Sequence, residues 1–163
     1  MILLDVLRLL PLVSATAWFL LAVFQVYRDR MHTWSETFFL FACFFAGMYG
    51  LSDAFLFNAG SAASARAAAV AGFACIALAE LFFLLFTLVY VDRMRPVYWS
   101  LGIVAGGILV LVFGFMVEDV LAPPGEGLYL AVFNSLALGP YLVYVIAYGI
   151  TGVWNLGRVY RIV

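Results

Sequence analysis

Five apolar runs, each long enough or nearly long enough to cross a bilayer, fill residues 11–27, 37–57, 67–90, 98–117 and 129–153 of this 163-residue chain. The hydrocarbon core of a membrane is about 30 Å thick and a helical residue rises about 1.5 Å, so about 20 residues suffice. Unpaired amides are costly in lipid, which leaves helices or closed barrels as spanning structures. Barrel strands would alternate in polarity, and these runs do not. The expected fold is all-α: an integral membrane bundle of five transmembrane helices forming a single domain over 1–163. Only 10% of the residues are charged and 67% are hydrophobic, against about 25% charged in soluble domains. The loops are short, so no separate soluble domain is expected.

The arginines are unevenly placed. Arg28 and Arg30 follow the first run, Arg93 and Arg95 the third, and Arg158 and Arg161 the fifth; the opposite side carries Arg8 and Arg66, with Glu118, Asp119 and Glu126. Positive residues are retained in the cytoplasm. The N-terminus is therefore expected outside and the C-terminus in the cytoplasm, in a prokaryotic cytoplasmic (inner) membrane. Ala15-Thr16-Ala17 resembles a signal-peptide cleavage site, yet Asp5 spoils a positive leader and the apolar run continues through Phe24. The first run is read as a retained span. Residues before Pro11 are read as a short interfacial turn, with the proline near the helix start.

Small residues let helices approach closely in lipid, where the hydrophobic effect contributes little. Ala42, Ala46, Gly50 and Ala54 form one ridge at four-residue spacing, Ala67, Ala71, Cys75 and Ala79 a second, and Gly102, Gly106 and Gly114 a third. Runs two, three and four are accordingly expected to form the tight centre. Phe38, Phe41, Phe45, Phe82, Phe83 and Phe86 would fill gaps or face lipid or partner chains. Gly139-Pro140 should loosen or kink the fifth helix, because proline lacks the amide donor.

Polar residues inside the runs are the candidate chemistry. Glu80 falls near the middle of the third run and Asp53 in the outer part of the second. An ionised acid at membrane depth costs about 2.5–3.5 kcal/mol on insertion scales, so such groups commonly face a partner or a cavity. Protonated Glu80 either bonds a neighbouring helix or handles protons or a polar ligand. Asp53 is expected to pair with Arg66 or bond Asn134. Tyr141, Tyr144 and Tyr148 share one helical face, either packing with their hydroxyls reaching the inner interface or lining a site for a flat ligand such as a quinone, pigment or isoprenoid. His32, in the inner loop, is read as solvated; it would ligate a haem or chlorophyll only with help from another molecule. Cys43 and Cys75 should differ in depth by more than about 10 Å, beyond disulfide reach, so both are read as packing residues.

Several classes are excluded. The chain has no lysine for a retinal Schiff base, a single histidine, and no CxxC, Walker A, HExxH or GxSxG motif. No metal site, no self-contained bis-histidine haem and no basic surface for nucleic acid are expected. Catalysis by this chain is not expected either, and no cofactor is required, though a lipid, quinone or pigment is compatible.

Phe86-Thr87-Leu88-Val89-Tyr90 followed by Arg93, and Tyr148 followed by Leu156, Arg158, Tyr160 and Arg161, give runs two to five a texture that resembles the multi-helix N-terminal membrane regions of bacterial and archaeal sensor histidine kinases. The chain departs from that pattern in having five runs where the family often has seven, and no kinase follows Val163. The resemblance implies a receptor-like membrane module whose output would belong to another chain.

Three functions remain. The first is a non-catalytic accessory subunit or receptor-like module of a larger membrane complex, partnered by other subunits or by itself. The second is a pigment-, quinone- or haem-contacting subunit of an electron-transfer or photosynthetic complex, motivated by the tyrosine face and an aromatic content of 18%. The third is a small transporter or channel using Glu80.

Overall fold

A computed structural model describes residues 2–29, 33–91, 102, 106, 116–122 and 129–160. Helix α1 covers Ile2–Asp29, α2 Trp34–Phe57, α3 Ala62–Tyr90 and α4 Ser135–Tyr160, with strands β1 (Val117–Leu121) and β2 (Leu130–Phe133) before the last helix. Among the described residues these four helices are long and apolar enough to cross a membrane, and the chain is an integral membrane protein in contact with lipid. The expected span 98–117 lies outside the described residues except for Gly102, Gly106, Met116 and Val117.

The helix starts follow from local chemistry. The Thr33 hydroxyl accepts from the Glu36 amide at 3.3 Å and the Glu36 carboxylate accepts from the Thr33 amide at 2.9 Å. This capping box satisfies two amide donors that α2 would otherwise leave open. Ser61 caps α3 by accepting from the Ser64 amide at 3.2 Å, which lets α3 begin at Ala62, ahead of the expected 67. Helix α1 runs unbroken through Pro11, so the separate interfacial turn expected before it is absent. One lost amide bond does not stop a helix whose other backbone groups would be unpaired in lipid.

The expected all-α fold needs correcting: the structure is mostly helical but holds an antiparallel hairpin. Val117 pairs with Phe133, Val120 with Ala131 and Leu121 with Leu130, with an irregularity between Val117 and Asp119. Residues 130–133, read in sequence as part of the start of a helix, belong to β2. The Asn134 side chain accepts from the Leu136 amide at 2.9 Å and so opens α4 one residue later. Gly139-Pro140 lies inside α4 as expected, in its second turn.

Packing distinguishes the interfaces. Helix α2 packs most extensively on α3 and next on α1. Both contacts are antiparallel, since Gly50 meets Pro11 and Ala15 while Gly47 meets Phe19, and Ser52 meets Gly72 while Phe38 meets Phe82. The α2–α3 contact is aromatic at one end: Phe45 stacks on Phe82 with centroids 5.5 Å apart, and Phe39 meets Phe86 at 5.2 Å. Helix α4 runs parallel to α3. Tyr144 lies at Ala77, Gly149 at Glu80, Gly152 at Phe83 and Asn155 at Thr87. The hairpin rests on the beginning of α3, where Val117 and Val120 cluster with Leu56, Ala65 and Ala69.

The small-residue ridges are therefore used differently from the expectation. Ala42, Ala46, Gly50 and Ala54 are buried, but Gly50 serves α1. On α3 the buried small residues are Ala65, Ala69, Gly72, Ala77 and Ala79, whereas Ala67 and Ala71 are exposed and Cys75 is half-buried. An alanine-rich helix offers such spacing on several faces, and its neighbours decide which face is covered. Gly102 and Gly106 are helical, and a Cβ at either would meet Leu81.

The glycines give a graded test. A Cβ at Gly50 would lie 2.9 Å from the Pro11 carbonyl oxygen, which is backbone; at Gly47 it would meet the Phe19 ring at 2.8 Å; at Gly139 nothing lies within 4 Å. Gly50→Ala should destabilise the bundle by about 1–3 kcal/mol and Gly47→Ala by less. Gly139→Ala should be neutral or stabilising by up to about 1 kcal/mol from helix propensity. Thermal unfolding in detergent measures the order; a Gly139 variant as unstable as the Gly50 variant would contradict it.

Candidate functional site

The polar side chains within the spans converge on the interface of α2, α3 and α4. Tyr49 and Asp53 are one helical turn apart on α2, and the tyrosine hydroxyl partners the Asp53 carboxyl. Tyr141 of α4 is 6% exposed. It lies within electrostatic reach of Tyr49, Glu80 and Asp53, while its ring meets Phe73 edge-on at 5.6 Å. Tyr144 donates its hydroxyl to the Ala77 carbonyl at 2.9 Å and packs on Tyr148 with centroids 4.2 Å apart. Glu80, half-buried on α3, is within reach of both Tyr141 and Tyr144. Further along, buried Asn155 donates to the Thr87 hydroxyl at 3.4 Å, and that hydroxyl donates to the Leu84 carbonyl at 2.8 Å.

The result is a polar seam running along α3 and α4 from Tyr141 to Asn155, with Tyr49 and Asp53 of α2 at its Tyr141 end. It exists because four-residue and three-residue spacings place these groups on facing stripes of parallel helices. Small residues set the separation. A Cβ at Gly149 would sit 3.4 Å from a Glu80 carboxylate oxygen, and one at Gly152 only 2.5 Å from the Phe83 ring. Gly152 thus sets how closely α4 can approach, and Gly149 leaves Glu80 its room.

The sequence-predicted residues divide clearly. Glu80, Asp53, Tyr141, Tyr144 and Tyr148 come together. The pairing of Asp53 with Arg66 or Asn134 is not found: the Arg66 guanidinium donates to the Val117 carbonyl at 3.3 Å, and the Asn134 amide donates to the Glu118 carboxylate at 3.2 Å. Both are drawn to the hairpin, leaving Asp53 to Tyr49. The Tyr144 hydroxyl is bonded to the Ala77 carbonyl of α3. Cys43 is buried and Cys75 half-buried, and both are free thiols. His32 lies outside the described residues. Among the described residues no group of three His, Cys, Asp or Glu side chains is placed to hold a metal.

Tyr49, Gly149, Gly152 and Asn155 went unnoticed in the sequence, and Thr87 was noticed only as part of the sensor-like stretch 86–90. The Tyr49-x3-Asp53 spacing was a visible signal for the first. The matched offsets of Glu80-x2-Phe83 and Gly149-x2-Gly152 become meaningful only once the parallel register is known.

The chain matches no protein-family model, no curated protein and no solved structure.

Removing the seam hydroxyl in Tyr144→Phe leaves the Ala77 carbonyl without its extra donor and should cost about 0.6–2 kcal/mol, the range for hydrogen bonds between membrane helices. Gly152→Ala should cost about 1–3 kcal/mol by overpacking against Phe83, whereas Gly149→Ala should be near neutral. Thermal midpoints in detergent read all three. Equal effects at the two glycines would show that the seam register is wrong.

Proposed function

We propose that this chain is a non-catalytic integral membrane protein that works through helix contacts, as an accessory subunit or receptor-like module of a larger membrane complex. The observation that carries this reading is where the polar groups go. Tyr144, Asn155 and Tyr49 spend their donors on neighbouring groups of the same bundle. The outward surface is correspondingly apolar. Leu9, Leu10, Val13, Leu20, Val23 and Phe24 of α1 are exposed, and α1 packs on α2 with scarcely any contact to other described elements. Such a surface suits lipid and further transmembrane helices. The similarity in texture to sensor membrane regions favours the receptor-like version.

Five crossings, with the N-terminus outside and the C-terminus in the cytoplasm of a prokaryote, are part of the same proposal. A fifth crossing between the parallel helices α3 and α4 is the path this reading takes. The helical Gly102 and Gly106 against Leu81 support that path. The end formed by the last turns of α1 and α4 carries Arg28 and Arg158, which supports its cytoplasmic assignment.

A second reading, transport or proton conduction through Glu80, is favoured by one observation: among the described residues its carboxyl has no hydrogen-bond partner and lies against Gly149. A pigment, quinone or haem role has less support, because the Tyr141 and Tyr144 rings are committed to Phe73 and Tyr148.

Purification of the full chain in mild detergent, with mass spectrometry of everything retained, should yield at least one other membrane protein in fixed stoichiometry, unchanged by Glu80→Gln. A lone chain that dissipates a proton gradient in liposomes, with the flux abolished by Glu80→Gln, would overturn the accessory reading in favour of transport.

A further inference from the structure

A cleft of about 540 Å³ opens where α1 ends, α2 begins and α3 ends. It arises because α1 is held on α2 and stands off from α3, so the last turns of α1 and α3 do not close over the N-terminal turns of α2. Its floor is apolar, formed by Phe39, Phe86 and Val89, with the first two rings 5.2 Å apart. Its rim is polar and includes Arg28 and Ser35. Gln25, Thr33, Glu36 and Tyr90 are the other polar lining groups, and the Glu36 carboxylate, the one acid among them, is engaged by the Thr33 amide in the capping box.

The depth of this cleft is set by its aromatic neighbours. Tyr27, Trp34 and Tyr90 are all exposed at the same end of the bundle, and exposed tyrosine and tryptophan mark the headgroup level of a membrane. The rim therefore lies among headgroups and the floor among the first acyl carbons. Arg28 has an intramolecular interaction of its own, but a guanidinium carries five N–H donors in a planar fork and can add a phosphate oxygen to its existing contact. The Ser35 hydroxyl supplies a further donor.

We propose that this cleft holds an anionic phospholipid, its phosphate on Arg28 and Ser35 and its acyl chains over Phe39, Phe86 and Val89. A guanidinium at headgroup depth, with the Glu36 carboxylate already held by its cap and an apolar floor below, matches an anionic diacyl lipid in polarity and position. The inference rests on the membrane reading alone and stands whether the chain is a receptor, a subunit or a transporter.

The test uses the full chain exchanged into micelles containing equal amounts of phosphatidylglycerol and phosphatidylethanolamine, with retained lipid counted by native mass spectrometry. Phosphatidylglycerol should be retained roughly fivefold over phosphatidylethanolamine, the scale set by one interfacial arginine. Arg28→Gln should abolish that preference and Arg28→Lys should keep most of it. Val89→Trp, which fills the floor, should lower retention of both lipids, and Arg158→Gln, on α4 away from the cleft, should change nothing. Excess glycerol phosphate, which has the headgroup chemistry without acyl chains, should fail to displace the lipid. Equal retention of the two lipids, a preference that survives Arg28→Gln, an equal loss in Arg158→Gln, or displacement by glycerol phosphate would each overturn the proposal.

Discussion

A polar group inside a bilayer has no water to bond, so it must be met by another part of the chain or be costly. Helix α3 is where most of these demands are met. Its Ala77 carbonyl receives Tyr144, its Thr87 hydroxyl receives Asn155, and its early turns carry the hairpin through Ala65 and Ala69. Each bond contributes only about 0.6–2 kcal/mol in a membrane. Their weight is in selection. A slip of α4 by one residue along α3 would separate Tyr144 from Ala77 and turn Gly152 away from Phe83.

Two packing modes meet on this helix. Toward α2 the half of α3 near its C-terminus is filled by rings, with Phe82 contacted by Phe38, Phe41 and Phe45, while the half near its N-terminus closes on Gly72 against Ser52 and Tyr49. Toward α4 the approach is governed by missing side chains at Gly149 and Gly152. Bulk fills the one contact and its absence defines the other. The parallel direction of α4 is what brings Tyr144 to Ala77 and Asn155 to Thr87.

Much of this was legible because spanning a bilayer needs long apolar runs, and the first three helices announce themselves that way. The last was legible in type but not in its start. Tyr129–Phe133 is apolar enough to join a helical run, and nothing local separates β2 from it until Asn134 supplies a cap. Strand β1 was hidden for a different reason. Glu118 and Asp119 interrupt its pattern at the irregular register position, so the segment reads as a charged loop. The α3 ridge was misassigned because alanine at four-residue spacing occurs on more than one face, and only a neighbour can choose among them. The acids at 53 and 80 and the tyrosine face were visible as unusual chemistry in lipid. Their common location was not, since it depends on the register of α4. Asp53 was matched to distant groups although Tyr49, one turn away, needed no fold at all to be noticed.

The account turns on α3 and α4 pointing the same way, with the hairpin and the last turn of α3 at opposite ends. Tyr90 and Leu121 are both exposed, at 54% and 60%, so each position is suited to a reporter. Single cysteines placed by Tyr90→Cys or Leu121→Cys in a chain lacking Cys43 and Cys75 can be tested in intact cells with a membrane-impermeant maleimide. The account predicts that the Leu121 site is labelled from outside and the Tyr90 site only after permeabilisation. Labelling of both from one side would contradict it.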